Sequence, residues 1–120
     1  MKPLLIGYKK CSTCQKAEEY LKRHHLDYSF REIKEARVTE EELKAWKEKY
    51  NIEIDRLFNT SGMLYRSLNL KEKRPGMSEE EKYRLLASDG MLVKRPLLIT
   101  EKQMLIGWKE KEWEEYVTKN

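Results

Sequence analysis

The sequence predicts a mixed α/β fold that opens β-α-β, runs through a helical stretch at about 37–90, and closes β-β-α. Three observations predict it. A short continuous apolar run at 4–8 leads directly into a segment of helical period. Two capping-box signatures punctuate the middle of the chain. Near the end, two short apolar runs stand on either side of a tight turn.

The run Leu4-Leu5-Ile6-Gly7-Tyr8 suits a strand buried on both faces. Residues 11–25 read as a helix, with Ala17, Tyr20, Leu21 and His24 at i, i+3, i+4 and i+7 on one face. Residues 28–33 alternate apolar and polar side chains as a second strand, so the first two strands are expected parallel, joined by a right-handed crossover. Thr39 with Glu42 is a capping box, followed by a helix that carries Leu43, Trp46 and Tyr50 on its apolar face. Residues 52–70 read as two short helices separated by Asn59-Thr60-Ser61-Gly62, and Arg74-Pro75-Gly76 as a turn. Ser78 with Glu81 opens a further helix through Tyr83, Leu85 and Leu86. Asp89-Gly90 is expected to end it, with the glycine free to take positive φ. Pro96 starts the run Leu97-Leu98-Ile99-Thr100. A turn at Glu101-Lys102 leads to Met104-Leu105-Ile106, an antiparallel hairpin. Residues 109–117 close the chain as a helix with Trp113, Tyr116 and Val117 on one side. Trp46, Trp108 and Trp113 read as core or half-buried cover. No repeat, linker or low-complexity segment interrupts residues 1–120, which are read as one domain carrying a helical insertion.

Of the 120 residues, 39% are hydrophobic and 38% charged, with 25 basic and 21 acidic side chains. The resulting charge of +4 is spread along interleaved lysines and glutamates, the pattern of solvated helix faces rather than of a nucleic-acid patch. Arg66, Arg74 and Lys94 read either as solvated single cations or as the lining of an anion site. No apolar run reaches the roughly 20 residues that span a bilayer, and the first residues lack the pattern of a signal peptide. A cytoplasmic location and no membrane partner are therefore expected.

The two cysteines, Cys11 and Cys14, stand three residues apart where the first strand gives way to the first helix. There the unsatisfied N–H groups and the helix dipole favour a thiolate. Lys9 and Lys10 are candidates to add to that effect. The second sulfur lies about one turn on, within reach of a disulfide, so the pair suits thiol–disulfide exchange in which Cys11 attacks and Cys14 resolves. The histidines, His24 and His25, fall about ten residues further along the same predicted helix, roughly 15 Å away at 1.5 Å per residue and beyond a metal's first shell. A pair of inert small residues, or a metal site completed by another chain, stands beside the redox reading. Pro96 after Lys94-Arg95 is an ordinary start to a strand.

A Cys-x-x-Cys between a strand and a helix, followed later by a proline that starts the third strand, resembles the thioredoxin fold. The segments YKKCSTCQKA, LFNTSGMLYRSLNLK, MSEEEKYRLLASDGMLVKRPLLI and MLIGWKEKEWE together resemble the ArsC/Spx family, glutaredoxin-like arsenate reductases and their relatives. The resemblance covers nearly all of the chain and is greatest to the arsenate reductase-like branch. It implies a thioredoxin-like core with a helical insertion after the second strand, a cis bond before Pro96, and Arg95 facing the cysteines. In the arsenate-reducing branch the first cysteine of the loop is the nucleophile, matching Cys11, and an arginine before the proline helps hold the oxyanion, matching Arg95. Two further arginines of that branch align with Asn59 and Gly107. That branch usually lacks a cysteine at the position of Cys14 and depends on glutathione and glutaredoxin. Cys14 implies instead a self-contained disulfide, as in the Spx branch. Members of that branch regulate transcription by binding the RNA polymerase alpha subunit, through a contact that depends on a glycine in the loop after the second helix. Residues 49–55, which correspond to that loop, contain none.

The expected protein is thus a thiol–disulfide oxidoreductase with Cys11 as nucleophile and Cys14 as resolving thiol. Arg95 and Pro96 would form the substrate side of the site. Its substrate is a thiol or disulfide, with glutathione as candidate reductant, no bound cofactor or metal, and a monomeric state. A redox-sensing regulator that binds RNA polymerase alpha and a glutathione-dependent arsenate reductase are the alternatives.

Overall fold

A computed structural model describes residues 2–119. In chain order the strands and α-helices are β1 (Leu4–Gly7), α1 (Ser12–Arg23), β2 (Ser29–Glu32), α2 (Glu40–Tyr50), α3 (Met63–Ser67), α4 (Leu70–Lys73), α5 (Glu79–Ser88), β3 (Leu97–Ile99), β4 (Met104–Ile106) and α6 (Glu110–Lys119). Short 3-10 turns occupy Ile54–Leu57, Arg74–Gly76 and Gly90–Leu92. The chain divides into two compact units. One runs to Glu32 and resumes at Arg95; the other is Ile33–Lys94, slightly wider than the insertion expected at about 37–90.

The first unit is built on a four-stranded mixed sheet of order β2-β1-β3-β4. β1 runs parallel to β2 and antiparallel to β3, and β3 pairs antiparallel with β4. The β-α-β opening and the closing hairpin are those the sequence predicts, and the result is the thioredoxin-like arrangement that the resemblance implies. The hairpin turn is tied at Thr100. Its hydroxyl donates to the Gln103 carbonyl at 2.8 Å and accepts from the Gln103 N–H at 3.0 Å. This satisfies a side chain that is otherwise buried.

Strand registry aligns Leu5, Leu98 and Leu105 on one face of three neighbouring strands. They pack with Ala17 and Leu21 of α1 and Trp113 and Tyr116 of α6. Each buried leucine among them contributes about 1.5–3 kcal/mol. Trp113 is fully buried, and its Nε1–H donates to the Gly107 carbonyl at 3.0 Å, so no indole donor is left orphaned. Gly107 also donates its N–H to the Pro96 carbonyl at 2.8 Å, and it sits at φ 77°.

The second unit is helical. Both predicted capping boxes form, Thr39 with Glu42 and Ser78 with Glu81, each with the hydroxyl accepting from the N3 amide and the glutamate accepting from the cap amide. Residues 52–70 hold two short helical pieces, the 3-10 turn Ile54–Leu57 and α3, on either side of Asn59-Thr60-Ser61-Gly62 as expected; α4 follows Asn69, which adopts φ 54°. Two expectations are corrected. Among the described glycines Gly107, not Gly90, has positive φ. Gly90 is required for a different reason: a Cβ there would lie 2.8 Å from the Ile33 carbonyl oxygen. His24 keeps its place beside Tyr20, their ring centres 4.5 Å apart, but it caps α1 and is exposed rather than part of the buried face. The helix ends at Arg23, His25 turns to φ 57°, and both histidines are exposed.

Substituting Gly107→Ala forces an L side chain into left-handed backbone and is expected to destabilise the fold by about 1–2 kcal/mol. Chemical denaturation measures this, and a midpoint unchanged from wild type would show that the φ of Gly107 carries no structural weight.

Candidate active site

Cys11 is the N-cap of α1. Its backbone is extended at φ −83°, its carbonyl accepts the first helical bond from the Gln15 N–H at 3.0 Å, and its own N–H donates to the Tyr8 carbonyl at 2.9 Å. The helix begins one residue later than expected, which puts the sulfur at the mouth of the helix rather than inside its first turn. No carboxylate occupies that first turn to oppose a negative charge. The Cys11 Sγ lies 3.1 Å from the Thr13 hydroxyl. Partial burial pushes the Cys11 thiol up. The Thr13 hydroxyl, the Cys14 N–H, the Cys14 thiol and the Thr13 N–H together outweigh that and bring it down to about 7.

Cys14 is opposite in every respect. It is fully buried on the inward face of α1, in line with Ala17 and Leu21. Its sulfur accepts from the Tyr8 N–H at 3.4 Å. Gly7 makes the fit feasible, since a Cβ on that residue would approach the Cys14 Sγ to 3.0 Å. Burial drives the Cys14 thiol up to about 12. The Tyr8 N–H opposes this, the neighbouring Cys11 adds to it, and the Arg95 charge pulls the other way. Both cysteines are free thiols.

Arg95 stands with its guanidinium 5.8 Å from the centroid of the Tyr8 ring, so one tyrosine links both the Cys14 sulfur and the arginine. The peptide between Arg95 and Pro96 is cis, as the resemblance implies. Pro96 is buried one residue before β3 rather than as its first residue. Cys11, Cys14 and Arg95 are therefore brought into one neighbourhood, and Pro96 is joined to it through the chain.

Lys9 does something other than activate Cys11. Its ammonium pairs with Glu18 at 3.2 Å and lies 4.1 Å from the centre of the Phe30 ring. Its N–H donates to Glu32 at 3.0 Å, and its carbonyl accepts from the Gln15 side chain at 2.9 Å. Glu18 also accepts from the Tyr28 hydroxyl at 2.8 Å. These contacts fix the loop before Cys11. Gly7, Thr13 and Glu18 are site residues that reading the sequence does not single out. Thr13 alone carries a local signal, a hydroxyl two residues past an N-cap cysteine. No group of three or more His, Cys, Asp or Glu side chains among the described residues is placed to hold a metal ion.

Asn59 and Gly107, the positions at which the resemblance leads one to expect arginines, have structural duties of their own. Asn59 donates its backbone N–H to the Leu92 carbonyl at 2.8 Å and its side-chain amide to that of Met91 at 3.4 Å. Gly107 is held as described above.

Comparison with known proteins places this geometry in context. A sequence profile of the ArsC family matches residues 6–116. The chain is 49% identical over 108 residues to the uncharacterized protein YusI of Bacillus subtilis (strain 168), covering 90% of this chain and 92% of that protein. It is 30% identical over 102 residues to the regulatory protein MgsR of the same organism, covering 85% and 79%. An ArsC family related protein from Bacteroides fragilis superimposes with a TM-score of 0.89 at 47% identity, over 96% of this chain and 97% of that one.

Alkylation against pH checks the assignment of the sulfurs. One thiol per chain is expected to react, with a rate that rises tenfold per pH unit and levels off above about 7. Cys14 should stay unmodified until the protein is unfolded. Thr13→Val should move the midpoint upward, and a wild-type midpoint at the ordinary cysteine value of about 8.5 would contradict the activation described here.

Proposed function

Because the chain belongs to the ArsC family, we propose that it is a thiol–disulfide oxidoreductase with Cys11 as nucleophile and Cys14 as resolving thiol. The observation that carries this reading is the split environment of the pair. One sulfur is at a helix mouth with a hydroxyl at 3.1 Å, and the other is sealed beneath it against the end of β1.

The chemistry follows from that split. The Cys11 thiolate attacks one sulfur of a substrate disulfide, forms a mixed disulfide, and expels the other half as a thiolate. Cys11 is then uncharged. Its contribution to holding the Cys14 proton in place is gone, while the Tyr8 N–H and the Arg95 charge still favour a Cys14 thiolate. Cys14 loses its proton and attacks the Cys11 sulfur. The second half of the substrate leaves as a thiol, and a Cys11–Cys14 disulfide remains. In all, two electrons pass to the substrate, with one proton from Cys14 and a second from solvent that protonates the thiolate released first. Two molecules of glutathione would restore the dithiol and leave as one glutathione disulfide. Arg95, with its planar permanent charge, would anchor a carboxylate of the substrate or of glutathione, next to Pro96. A cytoplasmic setting suits this cycle, because thiols there are kept reduced. No described helix is long and apolar enough to cross a membrane.

A second reading is a redox-switched transcriptional regulator that docks on the RNA polymerase alpha subunit. The 30% identity to the regulatory protein MgsR favours it. Arsenate reduction fits least well, since Asn59 and Gly107 stand where that branch has arginines.

Cys14→Ser should accumulate a mixed disulfide on Cys11 that mass spectrometry identifies, and Cys11→Ser should abolish disulfide reduction. Equal turnover by wild type and Cys11→Ser would sink the catalytic assignment. Coupled assays with arsenate, glutathione and glutaredoxin should give no turnover above background. A pull-down with the C-terminal domain of polymerase alpha, run with the pair oxidised and then reduced, tests the regulator. Binding in neither state removes it.

A further inference from the structure

The chain's net positive charge has a definite location. Residues 56–78 contain five basic side chains and one acidic, whereas the rest of the chain contains twenty of each. Four of the five, Arg56, Arg66, Lys71 and Lys73, form no ion pair among the described residues. Within this segment of the second unit lies a cavity of about 560 Å³. That is within the roughly 300–1,000 Å³ of small-molecule sites.

Three cations line the cavity: Arg66, Lys71 and Arg74. No carboxylate is part of its wall. The two guanidinium groups are held in position by backbone carbonyls. Arg66 donates Nη2 to Ser61 at 3.1 Å, and Arg74 donates Nη1 to Asp55 at 3.2 Å. Arg74 also lies beside a touching aromatic pair, 5.5 Å from the centre of Phe58 and 5.7 Å from that of Tyr65. Its ion pair with Asp55 is long at 3.8 Å, and the same carboxylate is closer to Lys82, at 2.9 Å. Arginines fixed on one edge present the remaining donors of a planar fork, the geometry that matches phosphate oxygens. Tyr65 and Leu70, both buried, give the cavity an apolar wall. Thr60 and Asn69 add polar groups at its surface.

We propose that this cavity binds a small organic phosphate of about mononucleotide size. The phosphate would meet Arg66, Lys71 and Arg74, and the organic part would occupy the remaining volume beside Thr60 and Asn69. This site belongs to the Ile33–Lys94 unit and uses none of the residues assigned to the thiol chemistry. Of the three basic residues that the sequence marks as candidates for an anion site, the cavity includes Arg66 and Arg74 and leaves out Lys94.

The test is a titration of the full chain with adenosine 5′-monophosphate and, separately, with inorganic phosphate, followed by backbone amide chemical shifts. Saturable shifts confined to residues 60–74 are expected, with inorganic phosphate binding more weakly. The exposed variants Arg66→Gln and Lys71→Gln, whose other amide signals report an intact fold, should each weaken binding about tenfold, the loss of one charge-assisted contact. Thiol alkylation should not change in either. Shifts that fail to saturate, spread over the other lysines, or persist unchanged in both variants would overturn the proposal. Equal affinity for the two probes would overturn it too, because the organic part would then contribute nothing. Binding of a single-stranded oligonucleotide without saturable binding of the monophosphate would replace it with a polymer-binding surface.

Discussion

The sulfur of Cys14 has to fit against the end of β1, and the site is arranged around that fit. Gly7 leaves the space, and the Tyr8 N–H supplies the contact at 3.4 Å. Cys14, Ala17 and Leu21 share one face of α1. The face that packs Ala17 and Leu21 onto Leu5 and Leu98 therefore also buries the second thiol. Three residues back along a helix is nearly one full turn. Cys11, however, is the cap and not a helical residue, so its chain departs from the helix path and its sulfur is only half-buried. The inequality of the two thiols thus descends from core packing that Gly7 makes possible, completed by the Thr13 hydroxyl beside Cys11.

Much of this was legible because it is local. Capping boxes at Thr39 and Ser78 depend on four consecutive residues, and both formed. The β-α-β opening and the hairpin follow from periodicity over a few residues. The placement of a Cys-x-x-Cys at a helix start was equally readable. What stayed hidden depends on partners distant in sequence. Lys9 looked like an activating charge until Glu18 and Phe30 claimed it. Gly90 looked like a helix-ending turn glycine, yet its need arises from the Ile33 carbonyl, 57 positions away in the sequence. His24 satisfied the helical period, but the helix stopped one residue short of it. A periodic pattern says which face a residue would occupy and nothing about where the helix frays.

The helical unit shows a different economy of charge. Asp55 serves Lys82 and Arg74 together, and carboxylates on α5 meet lysines on α2, Glu80 with Lys44 and Glu79 with Lys47. Such exposed pairs add little individually. Outside residues 56–78 that unit carries eight basic and eleven acidic side chains, so the cations of the segment stand out against an acidic background.

Gly107 bears on how such a site changes over time. Its amide, its carbonyl and its left-handed backbone each serve a different neighbour, so the position is committed before any side chain is considered. Installing an arginine there by one codon change would disturb the strand end and the indole of Trp113 together. An arginine at this position would therefore carry the cost of left-handed backbone, about 1–2 kcal/mol, before its charge could serve an oxyanion.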